Sequence, residues 1–217
     1  MKLFLFVALI GVVYSDSGAS NTSGQSQAAN PDWAVENKFG KFQNAWATIN
    51  ATNVQYYMAK ATYNNESFFG GRFSCLKVET KSTSKENLTV DATMTYKDEK
   101  NGTMSKNITT KAVTYYSYKT PNALQYGPKD KTAEDASTES GASTQTDVLV
   151  FSDPSKCDVV STQNGKEFEL WVHSDVKDDI PKCCLFLFDY FAREKSKYDI
   201  YLGSDFCTSP GTPAAAQ

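Results

Sequence analysis

The segment from Cys157 to Cys184 constrains the fold most. Near its centre lies Asn164-Gly165, a pair that tolerates positive φ and therefore predicts a two-residue hairpin turn. That turn sets a register in which Thr162 faces Glu167, Val160 faces Glu169 and Asp158 faces Trp171. Side chains alternate along a strand, so Asp158, Val160, Glu169 and Trp171 share one face. Cys157, Val159, Phe168, Leu170 and Val172 share the other. Two carboxylates and an indole on a buried face require a cationic group between them. A register slip of one residue would instead turn Glu169 to solvent.

Chain totals narrow the class. At 217 residues and a net charge of −3, the chain suits one β-barrel domain and carries no basic footprint for nucleic acid. Lys2 precedes an apolar run from Leu3 to Val13, and small residues follow to Ala19, which predicts a signal peptide over 1–18. That run is too short to span a bilayer comfortably. Six Asn-X-Ser/Thr sequons, at Asn21, Asn50, Asn65, Asn87, Asn101 and Asn107, fit a secreted glycoprotein. The expected product is soluble and extracellular, with no membrane association, in a compartment where disulfides persist.

Residues 19–30 are polar and read as a disordered leader, residues 31–208 as the folded domain and residues 209–217 as a flexible tail. Phe39, Phe42, Trp46 and Ile49 recur at three- and four-residue steps and predict one apolar helix face. Strands are predicted over 54–63 and 72–80. Leu88, Val90, Ala92, Met94 and Tyr96 alternate with polar residues, as in a strand with one wet face. Asn101-Gly102 predicts another hairpin, followed by strands at 105–110, 111–118 and 124–126. Residues 128–145 read as a long charged loop, and a strand at 148–151 leads into the central hairpin. Pro181 can open a helix whose apolar face includes Leu185, Phe188 and Phe191. A short strand at 198–202 precedes Cys207. Many short antiparallel strands with helices only at the two ends predict an all-β barrel or sandwich. An eight-stranded barrel is just wide enough to hold one small ligand.

Cys157-Asp158-Val159, Glu169-Leu170-Trp171 and Cys184, together with Pro31-Asp32-Trp33-Ala34, Gln43-Asn44-Ala45-Trp46 and the run from Tyr56 to Tyr63, resemble the histamine-binding salivary lipocalins of ticks. The resemblance covers about Asn30 to Cys207. It implies an eight-stranded antiparallel lipocalin barrel, with an N-terminal helix and a C-terminal helix packed outside. It also implies the disulfides Cys75–Cys207 and Cys157–Cys184, with Cys183 as the alternative to Cys184 and the other thiol left over. It implies a pocket for a biogenic amine, to which Asp158 and Glu169 bring charge and Trp171, Tyr63 and Tyr126 bring rings. Asp147 matches a pocket position too, at the rim or in the interior. Glu66 and Phe69 stand at a second family pocket, where aspartate and tryptophan are usual. Ile108 or a neighbouring threonine replaces a family glutamate, and Leu124 and Gln145 replace phenylalanines.

The functions that follow are a monomeric binder of histamine or serotonin, a binder of an apolar mediator such as a leukotriene, or an effector that engages a host protein with its barrel empty. An enzyme is not expected. The chain has no Gly-rich phosphate loop, no nucleophile–base pair and no Cys/His cluster at metal-ligand spacing, and no cofactor is implied. His173, the single histidine, is expected at the surface or barrel rim.

Overall fold

The computed structural model describes residues 30–129 and 144–209. The predicted signal peptide and leader, the final residues of the tail, Asn21 and most of the charged loop lie outside them. In chain order the elements are α1 (Glu36–Phe39), α2 (Ala45–Ile49), β1 (Gln55–Ala61), β2 (Asn65–Glu66), β3 (Gly71–Arg72), β4 (Ser74–Ser84), β5 (Thr89–Lys97), β6 (Thr103–Val113), β7 (Ala123–Pro128), β8 (Gln145–Asp153), β9 (Cys157–Thr162), β10 (Glu167–His173), α3 (Lys182–Phe191), β11 (Tyr198–Asp199) and α4 (Ser204–Thr208). No helix among the described residues is long and apolar enough to cross a membrane.

Strands β4 to β10 form a continuous antiparallel meander, with β4 also on β1, and β10 pairs back onto β1 to close an eight-stranded barrel. Closure removes the exposed sheet edges that would otherwise recruit other chains. Strand β1 divides its second edge. Gln55–Tyr57 pair with β4, whereas Lys60 and Ala61 pair with β11. A register shift between Met58 and Lys60 marks the changeover, and there the Ala59 carbonyl accepts the backbone N–H of Ile200.

The central hairpin adopts the expected register: Thr162 opposes Glu167, Val160 opposes Glu169 and Asp158 opposes Trp171. The turn itself differs. It is a 3₁₀ turn over Gln163–Gly165, with positive φ at Gln163 (50°) and Gly165 (85°). Both hairpin faces are buried. One looks into the barrel; the other, with Cys157, Val159, Leu170 and Val172, packs beneath Cys184, Phe188 and Ala192 on the α3 side. The Cys157–Cys184 disulfide joins hairpin to helix across 6.2 Å between Cα atoms, and Cys75–Cys207 ties β4 to α4 across 5.3 Å. Cys183 is the free, exposed thiol among the described residues.

Two sequence expectations are corrected. The N-terminal helix is not continuous. It breaks at Gln43-Asn44, where the Asn44 side chain accepts the Ala47 N–H and starts α2 afresh. Phe39 and Phe42 are consequently 38% and 40% exposed rather than core. Gln43 explains the break. It is buried, donates to the carbonyls of Trp33 (3.0 Å) and Val150 (2.9 Å), and accepts the Tyr118 hydroxyl (2.5 Å). A buried amide satisfied on both sides outweighs helical continuity. The strands expected at 105–110 and 111–118 are a single strand, β6, paired along its length with β5 and β7. The chain leaves it beyond Val113 through positive φ at Tyr116 and Ser117.

Candidate functional site

The barrel interior is a packed plug toward one end and a cavity toward the other. The plug gathers Phe68, Phe69, Phe73 and Tyr96. The Phe69 ring lies 4.2 Å from that of Phe73 and 5.0 Å from that of Tyr96, centroid to centroid. Lys106 holds it in place by donating to the Phe68 carbonyl, with its ammonium 4.6 Å from the Phe68 ring centre. At the other end Ala45 and Ile49 of α2 pack against Val90, Ala112, Leu149 and Val160. Between plug and helix lies a cavity of about 700 Å³, counting its open mouth. Its wall is largely apolar, with Val78, Met94, Ile108, Leu124 and Val160, and carries Asp147, Asp158, Tyr126, Trp171 and Tyr56.

Alternation places the acids. On β9, Asp158, Val160 and Thr162 point inward while Cys157 and Val159 point to α3. Glu169 and Trp171, two residues apart on β10, share that inner face. Trp171 donates its indole N–H to Glu169 Oε2 (2.6 Å), and the Tyr63 hydroxyl donates to Oε1. Glu169 is fully buried, and Asp147 and Asp158 are each 4% exposed. One oxygen of each aspartate, Oδ1, has no hydrogen-bond partner. No basic side chain pairs with any of the three acids in the ion pairs of the described residues.

Burial without a counter-charge favours the neutral acid. Asp158 is pushed up to about 7 by burial and by nearby Asp153, against the hydrogen bond from Ser152. Burial, and then the charge of Glu169, raise Asp147 well above the ordinary carboxylate range, against bonds with Thr162 and Tyr126. Glu169 is also raised by burial, opposed by its bonds from Tyr63 and Trp171. Burial first, and the neighbouring acids second, raise the Tyr63 and Tyr126 phenols well above their usual value, so both remain hydrogen-bond donors. The Tyr56 phenol rises to about 12, and its hydroxyl donates to the Thr48 carbonyl at 2.9 Å.

The sequence-expected residues therefore separate. Asp147, Asp158, Tyr126 and Trp171 line one cavity, with Glu169 and Tyr63 bonded directly behind the indole. Asp147 is interior rather than rim. Glu66 and Phe69 do not line that cavity, although the charge of Glu66 still acts on Tyr126, Asp147 and Glu169. Phe69 is part of the plug. The carboxylate of Glu66 accepts from Ser67, the Phe68 N–H and Gln163 outside the cavity. Asn50, Asn65, Asn87, Asn101 and Asn107 are all exposed. His173 sits at the end of β10 with its ring centre 5.8 Å from that of Tyr56, facing Asp175. No cluster of metal-binding side chains occurs among the described residues. Sequence reasoning missed Tyr56 and Thr162. Alternation from Asp158 would have found Thr162. Tyr56 depends on the closure of β1 against β10, a long-range pairing with no local signal.

Comparison with known proteins agrees with this architecture. The family model described as tick histamine binding protein matches residues 33–209. A male-specific histamine-binding salivary protein of Rhipicephalus appendiculatus is 34% identical over 197 residues, covering 86% of this chain and 92% of that protein. Female-specific histamine-binding protein 1 of the same tick is 29% identical over 184 residues, covering 82% and 89%. Among solved structures, AM182 in complex with serotonin aligns with a TM-score of 0.51 at 22% identity, over 78% of this chain and 94% of that one. Lobster apocrustacyanin A1 aligns with a TM-score of 0.51 at 12% identity, over 82% and 89%. These two likenesses establish the fold, a lipocalin barrel. With the family model spanning nearly every described residue, and a relative above 30% identity along most of its length, the chain belongs to the tick histamine-binding protein family.

Proposed function

We propose that this protein is a secreted salivary scavenger that holds a host biogenic amine, histamine or serotonin, inside its barrel and lowers its free concentration without chemistry. One observation carries the reading: three buried carboxylates, two of them on the wall of a single cavity, have no basic partner among the described residues. An ammonium ion supplies that missing charge. A charge-assisted hydrogen bond is worth about 1.5–3 kcal/mol, and an ammonium over the Trp171 face adds ~0.5–2 kcal/mol. Both relatives named above are themselves called histamine-binding. Secretion rests on the predicted signal peptide, on exposed sequons and on the salivary origin of the male-specific relative.

The apolar wall around Val78, Met94, Ile108 and Leu124 favours a second reading, a lipid mediator. Such a ligand would leave the free oxygens of Asp147 and Asp158 buried and unpaired, which is costly. Calorimetric titration with histamine, serotonin and a leukotriene separates the two. Binding of either amine with no heat from the leukotriene is expected. Leukotriene binding without amine binding would reverse the assignment.

A further inference from the structure

We propose that a second cavity, on the outer wall of the barrel beside α4, binds a tetrahedral oxyanion, a phosphate or sulfate group, between the side chains of Lys77, Lys97 and Lys177. The site is separate from the barrel interior and its occupant is of opposite charge, so the inference does not depend on the amine reading.

Strand alternation builds one wall. On β4, Leu76 belongs to the core and Val78 packs against it, so Lys77 between them faces outward. On β5, Met94 and Tyr96 belong to the same core, which turns Thr95 and Lys97 outward. The register sets them side by side, with Tyr57 opposite Lys77 and Lys77 opposite Thr95. Lys97 lies two residues beyond Thr95, so the two lysines are diagonal neighbours across the strand pair, about 7–8 Å apart at the backbone. Ser204, Cys207 and Thr208 of α4 supply the facing wall, held there by the Cys75–Cys207 bridge. Lys177, beyond the end of β10, closes one side, its ammonium 6.0 Å from the Tyr57 ring centre and 5.7 Å from that of Tyr201. The space enclosed is about 460 Å³, counting its open mouth.

The charge is one-sided. Three lysines line this cavity, and no aspartate or glutamate among the described residues does. Lys177 pairs with Asp178, which stands outside the lining. Neither Lys77 nor Lys97 forms an ion pair among the described residues. Glu79, two residues along β4 from Lys77, is bonded to Lys81 and Gln55 instead. Lys97 is 2% exposed. Its ammonium donates to the Ser209 carbonyl (3.1 Å) and hydroxyl (3.2 Å) and lies 4.7 Å from the Phe206 ring centre. These contacts satisfy two of its three N–H groups and bring no negative charge. A cleft lined by one sign of charge, with low-dielectric walls, concentrates its potential on whatever enters. The chain as a whole carries −3, so this attraction is local.

The shape of the donor set selects the anion. The lysines approach from β4, β5 and the segment after β10, and the Thr95 and Ser204 side chains also line the space. Donors converging from several directions match the acceptor oxygens of a phosphate or sulfate better than the two coplanar oxygens of a carboxylate. Tyr57 and Tyr201, which meet edge to face at 5.3 Å, offer ring surface to an organic group attached to the anion.

The test is calorimetric titration of the full chain, in a low-salt buffer free of phosphate and sulfate, with inorganic phosphate, inorganic sulfate, phenyl phosphate and acetate. Heat of binding is expected from at least one of the first three, with acetate the weakest. Tighter binding of phenyl phosphate assigns the site to an anion carried on an organic molecule, and equal affinities assign it to the free ion. Lys77→Gln should weaken binding at least about tenfold, because it removes a charged donor that the fold itself does not use. Lys111→Gln, an exposed position outside this cavity, changes the net charge equally and should leave affinity unchanged. Circular dichroism verifies that both variants are folded. No binding of phosphate, sulfate or phenyl phosphate would overturn the proposal. Equal losses in the two variants would also overturn it, since the attraction would then belong to the overall charge rather than to this cavity.

Discussion

Asp158 is an acid held in its neutral form by its surroundings. Its pKa is pushed up to about 7 by burial, against about 3.9 in an unfolded chain. The folded protein therefore binds the proton more tightly than the unfolded one. The resulting stability is complete below about pH 4 and is lost as pH rises through about 7. Asp147 and Glu169 are shifted in the same direction by the same cause. The ligand-free protein should accordingly melt at a higher temperature near ~pH 5 than near ~pH 8.5, read by scanning calorimetry. Asp158→Asn should flatten part of that slope by removing one titrating group. A melting temperature that rises with pH over this window would contradict the burial of these acids.

At the scale of the element, the β9–β10 hairpin is buried on both faces because α3 covers the outside while the cavity occupies the inside. Helix α3 achieves this with a narrow apolar stripe. Cys184 and Phe188, four residues apart, and Ala192 just past its end are each fully buried against the hairpin. Phe186 points the other way and is 65% exposed. Phe188→Ala should therefore destabilise the fold by about 3–5 kcal/mol through the cavity it leaves. Phe186→Ala should change stability by no more than about 0.5 kcal/mol. Urea denaturation of the two variants compares them directly, and equal losses would mean that α3 docks by another face. The Cys157–Cys184 bridge adds to this docking. It closes a separation of 27 residues, a loop for which chain-entropy estimates give about 3.5 kcal/mol.

For the molecule as a whole, stability and the proposed amine binding are expected to respond to pH in opposite senses. The empty barrel favours protonated acids, whereas a bound ammonium requires at least one of them ionised. Affinity for an amine whose own charge is constant, such as serotonin, should fall as pH drops below about 7, by up to about tenfold per pH unit for each carboxylate that titrates. Calorimetry near ~pH 8 and near ~pH 5 should show the tighter binding at the higher pH. Equal affinities at the two would mean that no carboxylate meets the ligand's charge. The same experiment separates an amine from an apolar mediator, whose binding has no reason to follow carboxylate ionisation in that direction.

Much of this was legible in the sequence because the signals are short-range. An Asn-Gly pair between alternating strands determined which side chains of β9 and β10 share a face, and Asp158, Glu169 and Trp171 emerge together from that alone. Strand alternation at Val90, Ala92, Met94 and Tyr96 likewise identified their inner face. The resemblance to tick lipocalins supplied what spacing does not, the pairing of four cysteines among five. The tertiary structure decided the rest. Closure of β1 on β10 brings Tyr63 and Tyr56 to residues more than 100 positions away in the chain, and no local pattern encodes that contact. It also decided that Phe69 fills the plug, that Glu66 remains outside the cavity, and that Glu169 is already satisfied while two aspartates keep a free oxygen. Periodicity assigns a side chain to a face, but the partners that meet it there come from distant strands, and those partners determine whether a buried acid is spent on the fold or left for a ligand.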